Sequence, residues 1–285
     1  MTEPMNHRSL CCIVLAIVFS PALSSAADRT YLVSMRMRGA GPRHALPETD
    51  NGNTAEVQSH VGETDLQVDV DWASFLARHD LVWDSMPSGY LDSPFVGNGL
   101  LGAMLAQEGD DCLKLSVGRT DVTEHVSGPG IAHYIGKSRL PIGAFQLKLP
   151  GPISGGRMRQ DLYRAETRGH LMTDREEIPF RLFTHAEQPV IVFEWRLAEN
   201  SGEAKLQWIP AVAKVPRGKL PGPANPAPMI GTRGNVQICV QTRHSGGDYT
   251  TVWREVTLED GTHRLFVSIA DRFPAGGSGD EAVAA

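Results

Sequence analysis

Residues 177–197 read EIPFRLFTHAEQPVIVFEWRL, and two runs within them alternate with period two. Ile178, Phe180 and Leu182 alternate with Pro179, Arg181 and Phe183; Ile191, Phe193, Trp195 and Leu197 share the side opposite Glu194 and Arg196. Successive side chains of a strand point to opposite faces, so each run reads as a strand with one face buried and one wetter. The pattern recurs along the chain. Leu113, Leu115 and Val117 alternate with Cys112, Lys114 and Ser116; Phe145, Leu147 and Leu149 alternate with Gln146 and Lys148. Val236, Ile238 and Val240 alternate with Gln237, Cys239 and Gln241, and in each run the apolar set is expected to face the core. Val252, Arg254, Val256 and Leu258 lead into Glu259-Asp260-Gly261, a hairpin signal, with Leu265, Val267 and Ile269 on the return strand.

No long helical period interrupts these runs, which excludes a series of βαβ units. The expected fold is all-β: an antiparallel sandwich of two packed sheets with a short helix before it. That helix is expected from Trp72 to His79, capped by Asp71, with Trp72, Phe75 and Leu76 on one face. Residues 71–275 are taken as the sandwich domain, and residues 276–285 as a tail without core residues. The stretch Pro210 to Pro228 carries four further prolines, Pro216, Pro221, Pro223 and Pro226, and is expected to be a long loop.

The chain has 285 residues, 41% hydrophobic and 21% charged, in the range of globular proteins. Its formal net charge is −6 with no Lys/Arg cluster, against the basic patch a nucleic-acid partner needs. Residues 1–26 read as an export signal. Arg8 is followed by the apolar run Leu10 to Phe19, then Pro21 and the small residues Ser24-Ser25-Ala26. That run falls short of the ~20 residues a bilayer span requires. A secreted or periplasmic location follows as the expectation, with residues 27–70 as a polar, Gly- and Pro-containing extension. Cys112 and Cys239 remain after cleavage, and sequence leaves open either a disulfide or two free thiols.

Candidate chemistry concentrates in few places. Gly97-Asn98-Gly99-Leu100-Leu101-Gly102 fits the dinucleotide fingerprint G-x-G-x-x-G. That motif works only between a strand and a helix N-terminus, and here strand alternation follows, so a tight glycine turn is expected. Arg119, Asp121, Glu124 and His125 lie just after a strand, where sheets present functional loops. Carboxylates and arginine suit sugar hydroxyls, which donate and accept together; the competing reading is an ion-paired loop tying one strand to another. His125 and His133 lack a third ligand at a recognised metal spacing, and no G-x-S-x-G elbow or phosphate loop occurs. No cofactor is implied.

Several segments in fixed order resemble the N-terminal domain of glycoside hydrolase family 95, the α-L-fucosidase and α-L-galactosidase family. Leu81-Val-Trp-Asp84 comes first, then Phe95-Val-Gly-Asn-Gly-Leu-Leu-Gly-Ala-Met104, similar to the family's P-x-GNG-x-LGAM. Leu113 to His125 resembles its next strand and loop but departs from the usual Q-L-N-E-x-T-L-W, which marks a divergent branch. Arg139 to Phe145, Asp161 to Glu166 and His185 to Val192 resemble later segments, so the likeness spans about residues 80 to 273. It implies a β-supersandwich followed by a helical catalytic barrel that supplies acid and base for inverting hydrolysis. No barrel helices occur here, so the resemblance implies a role in polysaccharide breakdown and supplies no catalytic residue.

Three functional readings follow. The first is the N-terminal sandwich of an exported glycoside hydrolase, with a glycan and the helical barrel as partners. The second is a free-standing exported carbohydrate-binding or scaffold module with a groove lined by aromatics such as Trp83, Tyr90 or Tyr134. The third is a small complete hydrolase using Asp121 or Glu124. Asn98, Arg119, Asp121, Glu124 and His125 are the substrate-binding candidates, with no metal ligands.

Overall fold

A computed structural model of the chain describes residues 70–126, 138–199, 202–214 and 223–273. The export signal, most of the extension, the C-terminal tail, part of the Pro210–Pro228 loop, and His133 and Tyr134 lie outside the described residues. The chain divides into two units with a boundary between Phe75 and Leu76, and the strands all belong to the unit that includes Leu76 onward.

Helix α1 spans Trp72–Ala77, and the Ser74 N–H donates to Asp71 Oδ1 at 3.2 Å, the cap expected at that position. Fourteen strands follow: β1 Leu81–Trp83, β2 Phe95–Gly97, β3 Leu101–Gln107, β4 Cys112–Arg119, β5 Gly143–Lys148, β6 Ile153–Asp161 and β7 Glu166–Thr173. The second half comprises β8 Glu177–Thr184, β9 Ile191–Arg196, β10 Lys205–Pro210, β11 Met229–Arg233, β12 Val236–Thr242, β13 Asp248–Thr257 and β14 Thr262–Arg272. Every named pair is antiparallel, in a nine-stranded sheet ordered β1-β6-β7-β8-β9-β14-β13-β12-β11 and a five-stranded sheet ordered β10-β5-β4-β3-β2. The all-β sandwich of two packed sheets is the fold. Among the described residues, no helix is long and apolar enough to cross a membrane.

The core is where the period-two runs meet. Leu101, Leu105, Leu113, Leu115, Phe145 and Leu147 of the small sheet pack in one cluster with Ile178, Leu182, Ile191, Phe193, Trp195, Leu265 and Val267 of the large one. Burying each such side chain contributes roughly 1.5–3 kcal/mol, which offsets the ordering of the strands. The turn Glu259-Asp260-Gly261 forms where the sequence places it: Leu258 N–H donates to Thr262 O, and Gly261 takes φ +78°, open to glycine without strain.

Two adjacent runs are inverted: in β13, Tyr249 and Thr251 are buried and Trp253 packs against the core, whereas Val252, Arg254 and Val256 lie on the other face. In β12, Cys239 and Gln241 are buried, while Val236, Ile238 and Val240 are half-buried on the outer face. Cys239 pairs with Thr251, which pairs with the core residue Ile269, and this register fixes the inward face. The expectation that the valines and Ile238 face the core is therefore corrected. Gln241 faces loop backbone, and its Nε2 donates to Ala211 O at 3.0 Å. A polar side chain there satisfies a carbonyl that a valine would leave unpaired.

Both Cys112 and Cys239 are free thiols, Cys112 half-buried and Cys239 buried. They sit on different sheets, and burial raises the pKa of each. Site-resolved alkylation of native protein is expected to label Cys112 first and Cys239 only once denaturant opens the sandwich. Equal native labelling of both would contradict the placement of Cys239 in the core.

Candidate functional site

Four of the residues singled out from sequence gather where β4 runs into the loop 120–126. Arg119 donates from Nε and Nη2 to Asp121 Oδ1 and Oδ2 at 2.6 and 2.8 Å, a planar two-point pair. Its Nη1 donates to Ile269 O at 2.6 Å, so the guanidinium ties β4 of the small sheet to β14 of the large one. The Arg119 hydrogen bonds hold the Asp121 carboxyl below the usual carboxylate range.

Glu124 is buried, and both of its oxygens are engaged. Oε1 accepts from Ser245 Oγ at 2.6 Å and from the His125 N–H at 3.1 Å; Oε2 accepts from Asn225 Nδ2 at 2.8 Å. Asn225 in turn donates to Ala213 O at 2.7 Å and accepts from the His244 N–H at 2.6 Å. One carboxylate thus pins three loops. The His125 ring stacks on Phe273, with centroids 3.4 Å apart and planes within 6°. Burial, and next the nearby Arg243 charge, push the His125 pKa down.

Arg243 is the member of this cluster that sequence reasoning missed. Its side chain is fully buried, donating to Asp271 Oδ1 at 2.6 Å and to the carbonyls of Gly246, Arg272 and Thr123. The guanidinium lies over the rings of Tyr249 and Phe273, and burial raises the Tyr249 pKa strongly. Its one sequence signal is position: Arg243 continues the inward series Cys239, Gln241, which reads as outward when the valines are taken as core.

Asn98 stands apart in the β2–β3 turn. Its Oδ1 accepts from the N–H groups of Leu100 and Leu101 at 3.1 and 2.9 Å, and its Nδ2 donates to His185 O at 2.9 Å. With Gly99 at φ +89°, the GNGLLG stretch is a tight turn between antiparallel strands. No helix follows it to receive a pyrophosphate.

A second locus lies on the outer face of the five-stranded sheet. A cleft of about 490 Å³ opens between that face and the loop before β2, lined among others by Ser88, Tyr90, Ser93, Met104, Glu108 and Lys114. Register explains its floor. Met104 pairs with Ser116, Ala106 pairs with Lys114, and Lys114 pairs with Gln146, so three adjacent strands present these outward side chains side by side. Lys114 Nζ donates to Glu108 Oε1 at 2.6 Å and Gln146 Nε2 to Glu108 Oε2 at 2.5 Å. The hydrogen bond from Lys114, then that from Gln146, keeps the Glu108 carboxyl below its ordinary range. Ser93 Oγ donates to Gly89 O at 2.7 Å and holds the loop that carries Tyr90, whose ring stands 74% exposed at the rim.

Of the other aromatics singled out from sequence, Trp83 packs against the core with its Nε1 donating to Asp92 O at 2.7 Å. Among the described residues, no group of three His, Cys, Asp or Glu side chains is arranged to hold a metal ion. No family model matches the chain, and a search of the curated proteins returns no match.

Proposed function

We propose that this chain is the N-terminal β-sandwich domain of an exported glycoside hydrolase lineage resembling family 95, contributing to polysaccharide breakdown without the catalytic carboxylates. The observation that carries the reading is the state of Asp121 and Glu124. Glycoside hydrolysis needs two carboxyl groups facing each other across the scissile bond, about 5–9.5 Å apart, one to protonate and one to attack or activate water. Asp121 has both oxygens on Arg119, and Glu124 is buried with both oxygens bonded, so each serves the scaffold. The lineage itself rests on the resembling segments, of which GNGLLGAM runs from the end of β2 through the turn into β3 and LKLSVGR forms most of β4.

Purified chain is expected to show no turnover of aryl α-L-fucosides or α-galactosides. Turnover that disappears in Asp121→Asn would overturn the reading and revive a complete small hydrolase. A helical-barrel reading frame downstream of codon 285 would support the hydrolase lineage directly.

A second reading, a free-standing exported carbohydrate-binding module, is favoured by the exposed Tyr90 beside a polar cleft. The two readings share a non-catalytic sandwich that meets a glycan.

A further inference from the structure

We propose that the cleft on the outer face of the five-stranded sheet is a glycan-binding subsite, with Tyr90 as stacking platform and Glu108 and Lys114 as the hydroxyl-reading pair, Glu108 being held in place by Gln146. The inference rests on the reading above only in taking a saccharide as the ligand class; the site itself is argued from its side chains.

A pyranose presents vicinal hydroxyls, each both donor and acceptor, around a ring whose axial C–H groups form an apolar face. A site for it needs fixed donors alternating with fixed acceptors, and one aromatic surface. Both are present. Glu108 accepts from two neighbours, which fixes its plane, and unlike the buried Glu124 it lines the cleft with 38% of its side chain exposed. Lys114 uses one N–H on Glu108 and retains donors, while Gln146 on the neighbouring strand holds the second Glu108 oxygen and so positions the carboxylate. Ser88, Ser93 and Ser116 add hydroxyls along the same cleft. No rearrangement is needed to create the array, so little ordering cost falls on binding.

Charge narrows the ligand class. Lys114 is the cationic side chain lining the cleft, and Glu108 neutralises it at 2.6 Å. An anion would meet the Glu108 carboxylate and have no second cation to offset it, so a neutral saccharide fits better than a sulfated or phosphorylated one. The floor favours close approach. Met104 and Ala106 on β3 and Ser116 on β4 are uncharged, and Gly109 also lines the cleft. Tyr90 is 74% exposed, so its ring is free to stack against a sugar face.

The experiment is titration of the signal-processed full chain with 2′-fucosyllactose, cellohexaose and a heparin-derived tetrasaccharide, followed by calorimetry and ligand-observed NMR. At least one neutral sugar is expected to bind with Kd of about 1 mM or tighter, and the sulfated one more weakly. Tyr90→Ala and Gln146→Ala are each expected to weaken binding by about tenfold or more. Tyr163→Ala, an exposed tyrosine after β6 in the other sheet, is expected to leave it unchanged. Unchanged thermal denaturation of the variants separates loss of contact from loss of fold.

Absence of binding by both neutral sugars, or binding that Tyr90→Ala and Gln146→Ala leave intact, overturns the subsite. The second of these leaves the glycan-linked reading of the chain standing, with contact elsewhere. Turnover abolished by Asp121→Asn alongside cleft binding would overturn the non-catalytic reading and leave the subsite standing.

Discussion

Arg243→Met is expected to lower the stability of the sandwich by roughly 3–5 kcal/mol, the usual cost of removing one partner of a buried ion pair. Arg243 has no exposed side-chain surface, and Asp271, its partner at 2.6 Å, is 12% exposed. The replacement fills much of the volume but leaves the Asp271 carboxylate in a poorly hydrated site without its counter-charge. It also strips the donors from the carbonyls of Gly246, Arg272 and Thr123, each left to find water or go unpaired. Urea denaturation of native and variant protein checks this through the midpoint, read at unchanged slope. A loss below about 1 kcal/mol would mean that the pair is solvated and the cluster open.

The double variant Arg243→Met with Asp271→Leu separates the two components. Replacing both partners removes the stranded charge, so the double variant is expected to be more stable than Arg243→Met alone. A second readout is specific to the cluster: the Arg243 charge helps to depress the His125 pKa, so the single variant is expected to raise it, measured by imidazole proton shifts against pH.

Phe145→Ala is the other large effect, about 3–5 kcal/mol, from lost burial and the cavity left behind. Phe145 on β5 is almost fully buried and bridges the sheets: its ring centroid lies 4.6 Å from that of Trp208 on β10 and 5.6 Å from that of Trp253 on β13. Trp208 is its direct neighbour in the small sheet, whereas Trp253 belongs to the large one. Truncation should therefore loosen both sheets where they meet. Thermal denaturation reads the loss, and tryptophan emission should shift to the red as two indoles gain water. Phe95→Ala serves as the contrast. That ring is 61% exposed on the outer face, and its removal is expected to cost within about 0.5 kcal/mol. Equal losses at the two positions would contradict the assignment of Phe145 to the core.

Legibility differs from strand to strand for a physical reason. In β4, β5, β8 and β9 the inward neighbours are apolar side chains of the opposite sheet, so inward positions carry Leu, Ile, Phe and Trp and the pattern announces its own face. In β12 the inward neighbours include loop backbone, as the contact of Gln241 with Ala211 O shows, and the inward series is Gln237, Cys239 and Gln241, of which Cys239 joins the core cluster. The half-buried valines opposite them then carry the stronger pattern on the wrong side. A period of two fixes that faces alternate; it does not say which one meets the core.

The candidate site divides in the same way. The loop holding Arg119, Asp121, Glu124 and His125 is visible as a dense run of polar residues, and the structure engages each of the four in local contacts. Their partners were not visible. Ser245 lies 121 residues from Glu124, and Ile269 lies 150 from Arg119, separations that only sheet pairing closes. The cleft is less legible still, because Glu108, Lys114 and Gln146 become neighbours through the register of β3, β4 and β5.

The sequence by itself determined the all-β antiparallel class, the hairpin at Gly261 and the glycine turn at Gly99, since each follows from the chemistry of residues adjacent along the chain. Only the tertiary structure decided the face that β12 buries, the two free thiols, the buried Arg243–Asp271 pair and the cleft beside Tyr90. Each of these depends on which distant strand becomes a neighbour, a choice set by the packing of whole sheets and by the need of buried polar groups for partners.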